Sequence, residues 1–332
     1  MTYQEILKEL KNKIYKPIYF LFGEESYFID KITDYISDNV LNEGEKSFNQ
    51  IILYGKDSQI EDIINNAKRF PMMANHQVLI VKEAQNLKHI EKLAFYAEQP
   101  LKSTILVFNY KYKKLDKRTK LYKLLNKTAV LFESKKLYEN QIPAWINSYL
   151  KEKKYTATPV STQLLTDFLG TDLSKITNEL DKLMISLPEG TSITPEHIEK
   201  NIGISKDFNN FELQNALINR DVLKANRIIQ HFARNPKDNP IVVTIITLFS
   251  FFSKILNYHF LSDKNKNNVA SVLKVNPYFV KDYVKAAQIY NTRKTVAVIS
   301  LLREYDMKTK GYNNVSTSHE DLLKELIFKI LH

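Results

Sequence analysis

Apolar positions fall into two regimes along this chain of 332 residues. Over the first 140 positions, short continuous apolar runs alternate with stretches where apolar residues recur every three or four positions. Ile18 to Phe22, Phe48 to Tyr54, Gln77 to Lys82, Thr104 to Asn109 and Ala129 to Glu133 read as strands, because a run of about four to eight residues bounded by turn signals suits a strand covered on both faces. Between them, Ser26 to Val40, Ser58 to Lys68, Ile90 to Glu98 and Asp116 to Leu125 carry helical spacing. Strand and helix in alternation predict an α/β layer on a largely parallel, open sheet of five strands.

From Gln141 onward the strand signal fades and helical periodicity takes over. Helices are expected over Gln141–Lys153, Ser161–Gly170, Asp172–Leu187, Thr194–Asn201, Glu212–Asn219, Val222–Asn235, Ile241–Ser262, Val269–Leu273, Pro277–Ile289, Thr292–Lys310 and Glu320–Leu331. The predicted architecture is α/β followed by all-α, with no internal repeat. Trp145 lies in the helix that opens the second part, and the turn and polar run Gly203–Asn210 link it to a third. The divisions are 1–140, 141–210 and 211–332, and Lys264–Asn268 reads as a solvated turn.

Charge changes this picture more than composition does. The net charge is +11, carried as +5 over 1–140, −2 over 141–210 and +8 over 211–332. Only seven of the 48 basic residues are arginine, which favours diffuse lysine attraction to phosphate over bidentate reading of bases. The absence of cysteine excludes disulfides and thiolate sites and fits a reducing compartment, with the cytosol as the default. No basic segment followed by an apolar one marks Met1–Glu5 as a signal peptide. The most apolar stretch, Ile241–Phe252, is about half of the roughly 20 residues a membrane span needs and reads as a buried helix.

The turn after the first strand is where a nucleotide-binding α/β domain carries its phosphate loop. That loop needs clustered glycines, a lysine and a hydroxyl at fixed spacing. The chain has Gly23-Glu24-Glu25-Ser26-Tyr27-Phe28-Ile29-Asp30-Lys31 there, and its carboxylates and aromatics would repel or block a triphosphate. Other catalytic patterns fail too. The seven histidines include no H-x-x-x-H pair and there is no G-x-S-x-G elbow. Glu24 and Glu25 diverge on a strand-to-helix turn and suit the helix dipole better than acid–base work. Asp172 to Asp181 read as the start and exposed face of a helix.

A series of phrases in fixed order resembles the delta subunit of the bacterial DNA polymerase III clamp loader. They are Pro17-Ile-Tyr-Phe-Leu-Phe-Gly-Glu-Glu with Tyr27 to Ile29, Phe70-Pro71-Met72-Met73 before the strand Gln77 to Val81, and Lys114-Leu115-Asp116-Lys117-Arg118 with Leu121-Tyr122-Lys123. Asp172-Leu173 with Asn178 to Leu183 follows, then Phe211-Glu212-Leu213, Asn276-Pro277-Tyr278, and Asp306 with Lys308. Their collinearity over about 300 residues carries the resemblance.

The resemblance implies an AAA-type fold in three parts: a RecA-like clamp-binding domain over 1–140, a small helical lid over 141–210 and a helical collar for oligomerisation over 211–332. It implies a subunit with no catalytic site or cofactor of its own, inside a holoenzyme with DNA-directed DNA polymerase activity. Its partners would be the sliding clamp (beta subunit), the gamma/tau and delta-prime subunits through the collar, and primed DNA within the assembled complex, with no membrane. In this family a hydrophobic pair at the end of the helix before the third strand grips the clamp, and Met72 and Met73 stand at the matching positions, in a Phe-Pro-Met-Met phrase that by itself reads as core packing. Phe70, Pro71, Asn75 and His76 flank them as further contacts. Methionine moulds into a partner's pocket, and full burial contributes about 1.5–3 kcal/mol per side chain. A collar tyrosine that stacks on a template base in some members matches Tyr312, with Lys308 and Lys310 as phosphate contacts.

The run Lys111–Lys127 holds eight basic residues against one acid and reads either as a solvated helix face or as an electropositive surface near DNA or a neighbouring subunit. Two other functions stay open on the residues alone: a degenerate NTPase with a shifted nucleotide site, and a general DNA-binding helical protein.

Overall fold

Five strands, β1 (Ile18–Gly23), β2 (Gln50–Tyr54), β3 (Gln77–Lys82), β4 (Thr104–Lys111) and β5 (Val130–Ser134), pair entirely in parallel in the order β2-β3-β4-β1-β5. They centre the first of two units, Met1–Leu137 and Tyr138–His332, in a computed structural model that describes residues 1–332. The sheet is covered on both faces, which is why its strands read as apolar runs rather than alternating ones. All six residues of β1 are buried. Ile18, Phe20 and Phe22 point into one layer with Leu79, Leu106 and Phe108, whereas Tyr19 and Leu21 enter the other with Val78, Ile80 and Ile105. The period of two along a strand dictates that division.

Helices α1 (Tyr3–Lys11) and α2 (Ser26–Asn39) cover the second layer through Ile6, Leu10, Ile29, Ile32 and Ile36. After α3 (Glu43–Asn49) leads into β2, α4 (Ile60–Ala67), α5 (Leu93–Ala97) and α6 (Lys120–Thr128) cover the first through Ile60, Ile63, Leu93, Leu121 and Leu125. In this unit three elements depart most from expectation. Helix α1 was not foreseen, although Thr2 and Glu5 form a full capping box. Phe48 belongs to α3 rather than to a strand, because the Asn42–Glu45 capping box starts a helix that runs to the edge of β2. Helix α6 begins at Lys120, not Asp116, since the Thr119 hydroxyl accepts from the Tyr122 amide as its cap.

The second unit holds α7 (Ile142–Glu152), α8 (Pro159–Leu169), α9 (Leu173–Ile185) and α10 (Pro195–Ile202). Two short strands, β6 (Thr156–Ala157) and β7 (Ser192–Ile193), join them as a parallel pair that periodicity did not signal. Then follow α11 (Asn210–Asn219), α12 (Val222–Arg234), α13 (Ile241–His259), α14 (Lys266–Leu273), α15 (Val280–Ile289), α16 (Thr292–Thr309) and α17 (His319–Leu331). By length and composition α13, at 19 residues, could cross a membrane. It is longer than its most apolar stretch suggests, and it packs on α15 and α16 with Leu248, Phe252 and Ile255 fully buried.

Candidate functional site

Helix α4 stops at Ala67, so Phe70, Pro71, Met72 and Met73 sit on the loop that follows rather than on the helix itself. The residue before a proline is pushed out of the helical region, which suits a chain leaving its helix ahead of Pro71. Phe70 is 76% exposed, Met72 62% and Met73 102%. Asn75 is exposed, while Pro71 and His76 are half-buried. Burial lowers the His76 pKa, with Glu45 opposing the shift, and the imidazole stands edge-on to Tyr15 at 5.3 Å between centroids. Met73 has a φ of 52°, a left-handed conformation uncommon for a side chain of this size.

Buried amides pin this loop at two points, Arg69 and Met72. On one side the Gln77 amide donates to the Arg69 carbonyl at 2.6 Å and to the Thr104 hydroxyl at 2.7 Å, and that hydroxyl donates to the Ala67 carbonyl at 2.8 Å. On the other, the Asn49 amide oxygen accepts from the Met72 N–H at 2.6 Å and its nitrogen donates to the Met72 carbonyl at 3.0 Å. Asn49 is 3% exposed. Sequence reasoning missed it, because its partner lies 23 positions along the chain. The result is an exposed apolar tip on an ordered base, a form suited to docking in a pocket with little loss of backbone freedom.

The turn after β1 is closed by the chain's own groups. The Glu25 carboxylate caps α2 by accepting from the Tyr27 amide at 2.9 Å, occupying the position where a helix N-terminus would hold an anion. Glu24 pairs with Lys114 at 3.2 Å and Asp30 with Lys111 at 2.6 Å. Gly23 has a φ of 133°, and a Cβ there would collide with the Ser134 backbone.

These pairs also thin out the basic run. Of its eight cations, Lys111, Lys114, Lys117, Arg118 and Lys120 meet carboxylates within 4 Å, so its field is weaker than the sequence count suggests. In the second unit, Lys308, Lys310 and Tyr312 cluster at the end of α16. Lys308 pairs with Glu304 at 2.7 Å and lies over the Tyr305 ring at 4.5 Å, and Lys310 pairs with Asp306 at 2.6 Å. Tyr312 is exposed, and its amide donates to the Met307 carbonyl at 3.1 Å.

A cavity of about 530 Å³ also lies in this unit, lined by residues that include Glu139, Gln163, Asp167, Lys254 and Asp282. Burial raises the Asp167 pKa to about 7 against the opposing hydrogen bond from Gln163, and burial lowers that of Lys254. Asp167 remains partly open to solvent.

Comparison with known proteins adds a consistent set of likenesses. Residues 19–135 match the model of the DNA polymerase III delta subunit, and residues 207–327 match the model of the C-terminal domain of that same subunit. The DNA polymerase III subunit delta of Bacillus subtilis (strain 168) is 27% identical over 320 residues, covering 92% of this chain and 91% of that one. The solved Bacillus subtilis DNA clamp loader delta protein shares the fold, with a TM-score of 0.55, 23% identity and 99% of both chains covered.

Proposed function

The chain belongs to the DNA polymerase III delta subunit family, and on that premise we propose that it is the clamp-gripping subunit of a clamp loader, acting by binding rather than by hydrolysis. In this reading residues 1–140 form the RecA-like clamp-binding domain, 141–210 the lid and 211–332 the collar that joins the gamma/tau and delta-prime subunits. Met72 and Met73 dock on the sliding clamp (beta subunit), with Phe70, Pro71, Asn75 and His76 around them. The complex works in the cytoplasm on primed DNA, away from any membrane.

The observation that carries this reading is the exposure of Met72 and Met73 on a loop whose base is held by buried amides. A large apolar side chain left mostly in water gains little for folding, but it gains up to about 1.5–3 kcal/mol when a partner buries it. Two such side chains give about 3–6 kcal/mol, short of the roughly 8 kcal/mol of a micromolar complex, so flanking contacts take part.

The capped and ion-paired turn at Gly23 to Asp30 supports the absence of ATP chemistry, since a phosphate would have to displace Glu25 from the start of α2. At the end of α16 the lysines are held by surface ion pairs worth about 0–1 kcal/mol each, which phosphate can exchange at little cost, and Tyr312 offers a stacking face.

A pull-down with the clamp decides the reading. The Met72→Ala/Met73→Ala variant should stay folded and lose the clamp, and a folded variant that keeps it removes the site. Equilibrium dialysis covers the rival NTPase: micromolar ATP binding by the isolated chain would favour it.

A further inference from the structure

We infer that Asn49 is the positioning residue of this docking tip: its side-chain amide sets the backbone of Met72 and thereby aims both methionines. The inference rests on the reading of Met72 and Met73 as the clamp anchors, and it adds a residue that touches no partner.

The geometry is specific to a carboxamide. The oxygen of Asn49 accepts from the Met72 N–H, and its nitrogen donates to the Met72 carbonyl and to the Glu45 carbonyl at 3.1 Å. Both N–H groups and the oxygen are thus used, and the side chain imitates one rung of a β-ladder. Aspartate keeps the acceptor and loses the donor, setting a carboxylate against the Met72 carbonyl. Alanine loses both.

Placement makes this contact a lever on docking. Gln77 holds the start of the loop through Arg69, so with Asn49 intact the chain is fastened at position 69 and again at Met72, the first residue of the tip. Met73 follows directly in its left-handed conformation. Releasing Met72 frees the backbone dihedrals that aim both thioethers, and a partner must then order them on binding. Asn49 ends α3 next to β2, so α3 serves as the bracket for the tip.

The test is surface binding kinetics with the ring-shaped clamp of the same organism, using Asn49→Ala, Met72→Ala/Met73→Ala and the triple variant, with thermal unfolding and amide exchange at Met72 alongside. Asn49→Ala is expected to weaken binding about tenfold, mainly through faster dissociation, to speed exchange at Met72 and to leave the melting midpoint within a few degrees. The triple variant should bind no worse than the methionine pair variant, because Asn49 acts only through them. If the methionine pair variant loses the clamp while Asn49→Ala keeps full affinity, the positioning role is wrong and the anchors stand. If the methionine pair variant keeps the clamp, both fall. Should Asn49→Ala fail to fold, Asn49→Asp takes its place, and full-strength binding by that folded variant overturns the inference equally.

Discussion

Glu25 and Ser134 exchange two hydrogen bonds across the turn after β1: the Ser134 hydroxyl donates to the Glu25 carbonyl at 2.6 Å, and the Glu25 amide donates to the Ser134 carbonyl at 3.3 Å. Both residues are buried. The Glu25 N–H and carbonyl are thus spent on the neighbouring strand rather than offered to a phosphate.

That closure makes Gly23 sensitive. Gly23→Ala forces a Cβ into the Ser134 backbone at a positive φ, so a loss of about 3 kcal/mol or more is expected. Urea unfolding followed by circular dichroism checks it, and Gly44→Ala, where only the Asn42 side chain comes near at 3.5 Å, is the control.

Single methionine variants should divide the grip. Met72→Ala and Met73→Ala are each expected to weaken clamp binding by about 10- to 150-fold, the equivalent of about 1.5–3 kcal/mol. Neither should move the melting midpoint, because both side chains are exposed. Titration calorimetry against the clamp measures both.

Asp167 gives the fold a pH signature. Its folded pKa, about 7, lies above the ordinary 3.8, so the folded chain keeps a proton that the unfolded chain releases. Its contribution is therefore present at low pH and is lost as pH rises from about 4 to 7. Burial sets this value, with Gln163 and Lys254 opposing it and Glu139 adding to it, and these neighbours remain in the variant. Asp167→Asn should flatten that slope and stabilise the protein at pH 8 by on the order of 2 kcal/mol, allowing for water in the cavity. Urea midpoints between pH 4.5 and 8 read it out.

At the end of α16, stacking and charge separate experimentally. In the assembled loader, Tyr312→Ala should reduce affinity for primed DNA by about 1–3 kcal/mol and leave its salt dependence unchanged. Lys308→Ala and Lys310→Ala should each lower the slope of log affinity against log salt by about one. Fluorescence anisotropy over a salt series distinguishes them.

The sheet was legible in the sequence because its strands are covered on both faces, so β3 was found to the residue and β1 to within one. Helix α3 was not, because Phe48, two polar residues ahead of Ile51 to Leu53, reads as part of the same strand and only the Asn42–Glu45 box marks the helix. Met72 and Met73 stood out as candidates only through the family resemblance, since the Phe-Pro-Met-Met phrase by itself reads as core packing. Their support was not legible, since Asn49 and Gln77 act on backbone groups many positions away and periodicity reports only near neighbours. The Lys111–Lys127 run left a solvated face and an electropositive surface both open, because the carboxylates that folding brings beside it lie elsewhere in the sequence.

The backbone at Met73 sets two demands against each other. Glycine or asparagine would relax a φ of 52°, so folding alone disfavours a thioether there. A Met73→Gly protein would be sturdier and blunter at once, and this one position offers a dial between shelf life and grip for anyone redesigning the chain.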